Sequence, residues 1–390
     1  MASLAPLELL PPWQASEAIP GSLTIALVER DWRALAEPAA IAGWDALAQW
    51  ASEPNPFHES WYLLPALRAF DPEGTVKLLC LEAGGQLAGI FPVRREARYY
   101  GHPLPHLANW LHSNAFVGAP LVTKGFERAF WRELFAWADG HPGGALFLHL
   151  SQVPADGPLH DALKQVLAEQ GRHGATVMRE ERAMLRSALD PDSYLEQSLT
   201  GKKRKELRRQ HRRLAEEGEL TVERTDKGEN LADWTEAFLA LEQAGWKGQQ
   251  GSALSCDPAT TGLFRQALQG AAERGRLERL AIRLDGRPLA MLATFLCPPG
   301  AFSFKTAFDE RYARFSPGVL LQRENLELLA RPDIVWTDSC AAMDHPMIDH
   351  FWRERRTVAR HSIAIGGKVR RLVFRTLAAR ETGSIFRGIG

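Results

Sequence analysis

Read for the spacing of its apolar positions, the chain runs through one series of elements twice. LTIALVERDW (Leu23 to Trp32) alternates apolar and polar residues as a half-buried strand does, then gives way to an Ala-rich helical stretch holding Trp44 and Trp50. LTVERTDKGENLADW (Leu220 to Trp234) opens the second series in the same manner. Each series continues with a pair of strands about a turn, LLCLEAGGQLAGIFPV (Leu78 to Val93) and RLAIRLDGRPLAMLATF (Arg279 to Phe295). Gly85 and Gly286 hold matching turn positions, where a positive φ is expected. Strand, helix and strand follow in both: HLANWLHSNAF, GFERAFWRELFAWA and ALFLHLSQV, then AFSFKTAF, GVLLQRENLELLA and DIVWTDSC. A period of roughly 200 residues is far longer than a solenoid repeat and marks a duplicated domain. The division falls near SALDPDSYL, giving domains 1–190 and 191–390.

This order of elements predicts an α/β fold, each half a mixed twisted sheet flanked by helices. One helix, Pro317 to Ala330, separates FSFKTAF from IVWTDSC, so these strands are expected to be parallel neighbours joined by a right-handed crossover. Ligands of open α/β sheets bind beyond the carboxyl ends of such strands. Alternation places Phe302, Phe304, Thr306 and Phe308 on one face, with Ser303, Lys305, Ala307 and Asp309 on the other.

Composition narrows the function classes. Of 390 residues, 45% are hydrophobic and 24% charged, an ordinary globular balance. Forty-seven basic residues against forty-seven acidic ones give the whole chain no pull towards nucleic acid or anionic membrane, so any such pull is local. The opening MASLAPLELLPPW has neither a basic start nor a long apolar core, and no uncharged apolar run of about 18 residues follows, so a cytoplasmic protein without membrane insertion is expected. Cys80, Cys256, Cys297 and Cys340 lack zinc or disulfide spacing. No metal is expected either: His345 and His350 lack the i, i+4 spacing of a helical pair, and His102, His106 and His112 fall in a Pro-containing segment.

Candidate chemistry gathers in the second series. In Ser316-Pro317-Gly318, Ser316 suits an N-cap, Pro317 the first helical position, and Gly318 a close approach to backbone. The sequence reads either as a plain helix start or as an anion site built from the amides of Gly318, Val319 and Leu320. Lys305 in a central strand needs a partner, which is either Asp338 at the end of the neighbouring strand or a substrate phosphate or carboxylate.

KRKELRRQHRRLAEEGELTV, LEQAGWKGQQGSAL, FSFKTAFDERYARFSPGVLL and DSCAAMDHPMIDHFWRERR, in this order over residues 195–375, resemble the CelD/BcsL group of the GNAT acyltransferase superfamily, acetyltransferases linked to cellulose and exopolysaccharide synthesis. The duplicated architecture is similar to Fem-type aminoacyl ligases, which carry two such folds. The superfamily's acyl-CoA loop, Q/R-x-x-G-x-G/A, is kept only in part: Arg314-Phe-Ser-Pro-Gly318 has one glycine and a proline. The resemblance implies transfer from acetyl-CoA to an amine or hydroxyl of a small or carbohydrate acceptor, with Arg314, Ser316, Gly318, Val319 and Lys305 towards the donor. Acyl transfer needs a base near the acyl carbon. Asp338 is the first candidate and His345 the second, with Glu242 a third near the end of its helix and Tyr312 placed to protonate a leaving thiolate. A Cys340 nucleophile paired with His345 is the weaker arrangement, because direct transfer needs no thiol. Trp246 and Lys247 are read as acceptor contacts, although Trp246 equally suits a core anchor.

KKRKELRRQHRR (202–213) predicts a helix with a thin docking stripe of Lys203, Leu207, Gln210 and Leu214 and basic side chains elsewhere. It is either a solvated face or a contact for a polyanion such as coenzyme A phosphates or tRNA. Two rival functions follow, a Fem-like ligase using aminoacyl-tRNA and a nucleic-acid-binding protein. The first half offers apolar text where the second has Lys305, and VGAPLV in place of the loop, so the N-terminal copy is expected to be catalytically silent and to shape the acceptor cleft.

Overall fold

The computed structural model describes residues 23–349, 351–383 and 389; the opening segment MASLAPLELLPPW and His350 lie outside them. Among the described residues thirteen strands form one sheet: β1 (Ile25–Arg30), β2 (Lys77–Ala83), β3 (Gln86–Glu96), β4 (His106–Asn109), β5 (Leu121–Val122), β6 (Phe147–Pro154), β7 (Gly174–Leu185), β8 (Leu220–Thr225), β9 (Leu277–Leu284), β10 (Arg287–Cys297), β11 (Gly300–Phe308), β12 (Trp336–Asp338) and β13 (Glu354–Ala364). Their spatial order is β1-β2-β3-β4-β6-β13-β7-β12-β11-β10-β9-β8, with β5 paired to β3. The order is a palindrome of the repeat. β1 to β4 and β6 match β8 to β12, and β4–β6 and β11–β12 are the parallel pairs among antiparallel neighbours. The expected parallel pairing of FSFKTAF with the strand ending at Asp338 is therefore present. The hairpin turns bring Gly84 and Gly85, and Asp285 and Gly286, to positive φ, which matches the twist of the strands they join.

The last strands of the halves are exchanged. β7 follows β6 in sequence but pairs with β12, while β13, which follows β12, pairs with β6, and the two run antiparallel against each other at the centre. A core cluster holding Trp44, Phe57, Phe91, Trp131, Phe264 and Phe295 spans both halves, and a second, around Leu292, Phe315, Leu321 and Trp352, fills the other face of the C-terminal half.

Two expectations about β11 and its following helix are corrected. Opposite β10, Ala293 pairs with Lys305 and Thr294 with Ser303, so Phe304 is an extra residue, a β-bulge. Past a bulge the alternation reverses. Phe302, Phe304 and Ala307 consequently share the first core, and Phe308 packs on the second, not with the other phenylalanines. The helix after it is α-helical only over Pro317–Glu324 and tightens to 3-10 turns over Asn325–Ala330.

Candidate active site

β11 and β12 pair only from Gly300 opposite Trp336 to Phe302 opposite Asp338. β12 then ends, β11 runs on to Phe308, and the gap between them opens into a cavity of about 600 Å3. Its walls include Lys305, Glu242, Trp246, Lys247, His345 and, from the N-terminal half, Phe116. Five of the residues expected from sequence thus meet in one place.

The bulge aims Lys305 at this cavity. Its Nζ lies 5.2 Å from the Phe116 ring centre and 5.5 Å from that of Phe304. No hydrogen bond or ion pair to Lys305 is found among the described residues, and Asp338 is not its partner. Burial, and secondly the charge of Lys247, bring its ammonium down to about 8. Glu242, at the buried end of the helix Leu231–Ala244, accepts from Lys247 Nζ at 2.7 Å and from the Leu254 amide at 2.8 Å. Gly245 ends this helix in an extended conformation rather than the left-handed one of a usual C′ glycine, and a short helix Trp246–Gln249 starts at once. The Trp246 amide donates to Glu310 Oε1 at 2.7 Å, and its indole, 46% exposed, stands at the cavity mouth rather than in the core. Burial lowers the His345 imidazole, Asp349 opposes this and Lys247 adds to it. His345 is therefore neutral at pH 7, with a buried Nδ1 that has no hydrogen-bond partner among the described residues.

Asp338 lies beneath the cavity, not in its wall. It is wholly buried; Oδ2 accepts from Arg182 Nη2 at 2.6 Å and Arg356 Nη1 at 2.9 Å, and Oδ1 from the Cys340 amide at 2.9 Å. Burial works against its charge, but the two guanidinium groups prevail and hold the carboxyl below the usual range. Neither arginine stood out in the sequence, because they come from β7 and β13. Cys340, at φ 52, does line the cavity, but burial and Asp338 push its thiol up, so it carries no thiolate. Tyr312 packs on the C-terminal core beside Phe315, away from the cavity.

The helix start differs from expectation. Ser316 is left-handed, with φ 52, and makes no side-chain cap; its hydroxyl instead receives Gln210 Nε2 at 3.2 Å. Pro317 does occupy the first helical turn. The amides of Val319 and Leu320 both bond the Ser316 carbonyl, at 2.9 and 3.1 Å. Only that of Gly318 remains of the three, and Gly318 is buried under Met347, whose sulfur would lie 2.5 Å from an added Cβ. Met347 itself lines the cavity, so it stands between cavity and helix start. Arg314 is 67% exposed and paired to Glu217 at 2.8 Å.

The corresponding gap in the N-terminal half is filled. After Ala108 opposite His149, the Asn109 side chain continues the ladder: Nδ2 donates to Ser151 O and Gly118 O, both at 2.9 Å, and Oδ1 accepts from Ser151 N at 2.8 Å. Gly118 fits because a Cβ there would stand 1.9 Å from Ser151 O. Phe116 extends from this plug into the cavity wall of the other half.

The basic helix spans Gly201–Ala215, capped by Thr200. Leu207 and Leu214 are buried and Gln210 reaches Ser316, but Lys203 is exposed and not part of the docking stripe. Lys202, Lys203, Lys205, Arg208, Arg212 and Arg213 are all exposed. Among the described residues no helix is long and apolar enough to cross a membrane, and no group of three or more His, Cys, Asp or Glu could hold a metal ion.

Two parallel strands that part over a cavity, after three antiparallel ones, are the arrangement to compare with known proteins. Residues 201–345 match the family model of an acetyltransferase (GNAT) domain. The matched segment takes in the basic helix, β8 to β12 and the cavity residues named above other than Phe116 and Met347. Over the whole chain the fold is similar to that of FemX, at 12% identity and a TM-score of 0.54, covering 87% of this chain and 98% of that one. A conserved protein of unknown function from Bacteroides thetaiotaomicron VPI-5482 is similar at 12% identity and a TM-score of 0.51, covering 87% and 99%. The likeness thus runs through both halves. No curated protein sequence matches the chain significantly.

Proposed function

We propose that the chain is an acyltransferase working at the β11–β12 gap, with acetyl-CoA as the first donor to test and an amine or hydroxyl acceptor. The observation that carries this reading is a neutral imidazole, His345, beside an open gap between diverging parallel strands inside the GNAT segment. In this reading the acceptor's N–H or O–H gives its proton to His345 as the heteroatom bonds to the acyl carbon, the thioester C–S bond breaks, and the proton passes on to the departing thiolate. Glu242 and Lys247 hold each other as one neutral pair and shape the acceptor side with Trp246. Asp338 acts through structure, fixing the turn at Cys340. Tyr312 has no role in proton transfer. A donor phosphate would use the Gly318 amide, with Arg314 released from Glu217, and Met347 must move aside for it. The N-terminal half contributes Phe116 and no chemistry of its own. A carbohydrate acceptor from cellulose or exopolysaccharide metabolism is what the sequence resemblance adds.

One observation favours a second reading, a Fem-like transfer from aminoacyl-tRNA: the exposed cations of the basic helix lie beside the helix start, linked to it through Gln210 and Ser316. Melting curves of the whole chain with acetyl-CoA, longer acyl-CoAs, nucleotide sugars and charged tRNA separate the readings. A true donor at a hundredfold its Kd stabilises by about 2.7 kcal/mol. We expect acyl-CoA to raise Tm and charged tRNA to leave it unchanged. The reverse result gives the site to an aminoacyl donor.

A further inference from the structure

Within the cavity both carboxylates have hydrogen-bond donors, but one cation has no acceptor among the described residues. Glu242 is taken by Lys247 and by the Leu254 amide, and Glu310 by the Trp246 amide. Among the described residues Lys305 has no hydrogen-bonded or ion-paired anion, and its Nζ stands against the rings of Phe116 and Phe304. A ring face attracts a cation more weakly than the cost of removing an ammonium from water, so the rings alone do not offset its burial. The bulge at Phe304 is what turns this side chain towards the seam between the halves, and bulges that re-aim a side chain are common beside active sites.

The position of Lys305 also separates it from the donor loop. Gly318 lies against the Phe308 ring, on the face of β11 that packs on the second core. Lys305 projects with Phe304 and Ala307 towards the first core and towards Phe116 of the N-terminal half.

We propose that Lys305 receives a carboxylate or phosphate carried by the acceptor, so that the acceptor is an anionic amine or alcohol seated at the seam between the halves. The inference rests on the cleft being the acceptor site, but its test needs no turnover. Every titrating group facing Lys305 is then relevant. Burial and then Lys247 push its proton off, Glu242 and Cys340 retain it, and His112, itself lowered to about 3 by burial, stays uncharged throughout. An arriving anion restores the proton and moves the ammonium back towards its ordinary value.

The test is competitive labelling of lysines with acetic anhydride across pH 7 to 10, read by mass spectrometry of the Lys305 peptide. It is run alone, with propionate, with methyl phosphate, with propionamide as the neutral control, and with coenzyme A. A rise of one pKa unit cuts the free amine, and so the labelling rate below pH 8, roughly tenfold. We expect propionate or methyl phosphate to give this protection, with or without coenzyme A, while propionamide gives none and exposed Lys202 is unaffected. In Lys305→Met protein, calorimetry should show weakened binding of the same anion. Protection by coenzyme A alone overturns the proposal, because Lys305 then reads the donor's phosphates. It is overturned equally by equal labelling under all conditions, or by acetyl-CoA alone leaving an acetyl group on Lys305. A failure to find acyl transfer with any donor, by contrast, overturns the proposed activity and leaves the labelling result to stand by itself.

Discussion

Arg182 and Arg356 are direct cross-strand partners on β7 and β13, a like-charged pair that destabilises a sheet unless something lies between. Asp338 supplies that counter-charge from β12, and Arg182 also donates to the Phe116 carbonyl at 2.9 Å. Asp338→Asn should therefore act on folding first, lowering stability by about 3–5 kcal/mol in denaturant melts because two buried cations lose their anion. A well-folded Asp338→Asn protein that has lost turnover would return Asp338 to the role of base. Lys305 behaves in the opposite sense. Its folded pKa, about 8, lies below the unfolded value of 10.5, so the folded state holds fewer protons between these values and the cost of its charge is present in full below pH 8. Lys305→Met should melt higher than the parent at pH 7, and the gap should narrow as pH rises from 8 towards 10.5. A gap independent of pH would mean the ammonium is not destabilised by its surroundings. For His345, whose pKa is lowered, the proposed role as proton acceptor requires the neutral imidazole, so activity should fall as pH drops below its folded value. His345→Gln should reduce kcat/KM by about 100-fold and remove that acidic limb from the pH profile. An unchanged limb assigns the proton acceptor elsewhere.

At the scale of elements, the helix Pro317–Glu324 and the segment carrying His345 and Met347 are locked together at Gly318. An added Cβ would stand 2.5 Å from Met347 Sδ and 3.2 Å from Phe308 Cδ1, so an acidic residue there is not the harmless first-turn substitution that helix electrostatics alone implies. Gly318→Ala should cost about 1–3 kcal/mol by overpacking, and Met347→Ala should recover most of it in a double-mutant cycle. Additive effects would show that the two residues do not press on each other in solution. Period-two alternation, paired glycines and one intervening helix were enough to read both hairpins and the parallel pair β11–β12 from the sequence. Alternation also singled out Lys305, whereas Glu242, Trp246, Lys247 and His345 came into consideration through the resemblance of their sequence blocks and the need for a base near the acyl carbon. What these signals missed has a physical cause. A bulge is one extra residue with no sequence mark beyond an ordinary phenylalanine, and it reversed the faces after Phe304. Ser316 satisfies the composition of an N-cap, but its backbone turned left-handed and its hydroxyl was taken by Gln210 from a distant helix.

At the scale of the molecule, the exchange of β7 and β13 is the feature least legible in the text. MREERAML and ERRTVARHSIA alternate as strands do, but alternation states which face a side chain takes and not which strand lies alongside. Each strand follows its own half in sequence and completes the other half in space, and the charges they carry, Arg182 and Arg356, close on Asp338 only when both are in place. A cut between residues 190 and 191 tests this. The fragment 191–390 keeps β12 and β13 but lacks β7, which lies between them, leaving open strand edges of the kind that promote association. The fragment 1–190 lacks β13 from between β6 and β7. Neither fragment should fold alone. Expressed together they should form a one-to-one complex by light scattering, and the uncut chain should unfold in a single calorimetric transition because the central pair belongs to both halves. A monomeric 191–390 fragment with its own sharp transition would mean that β13 can close onto β12 directly. The halves would then be independent domains whose strand exchange is optional.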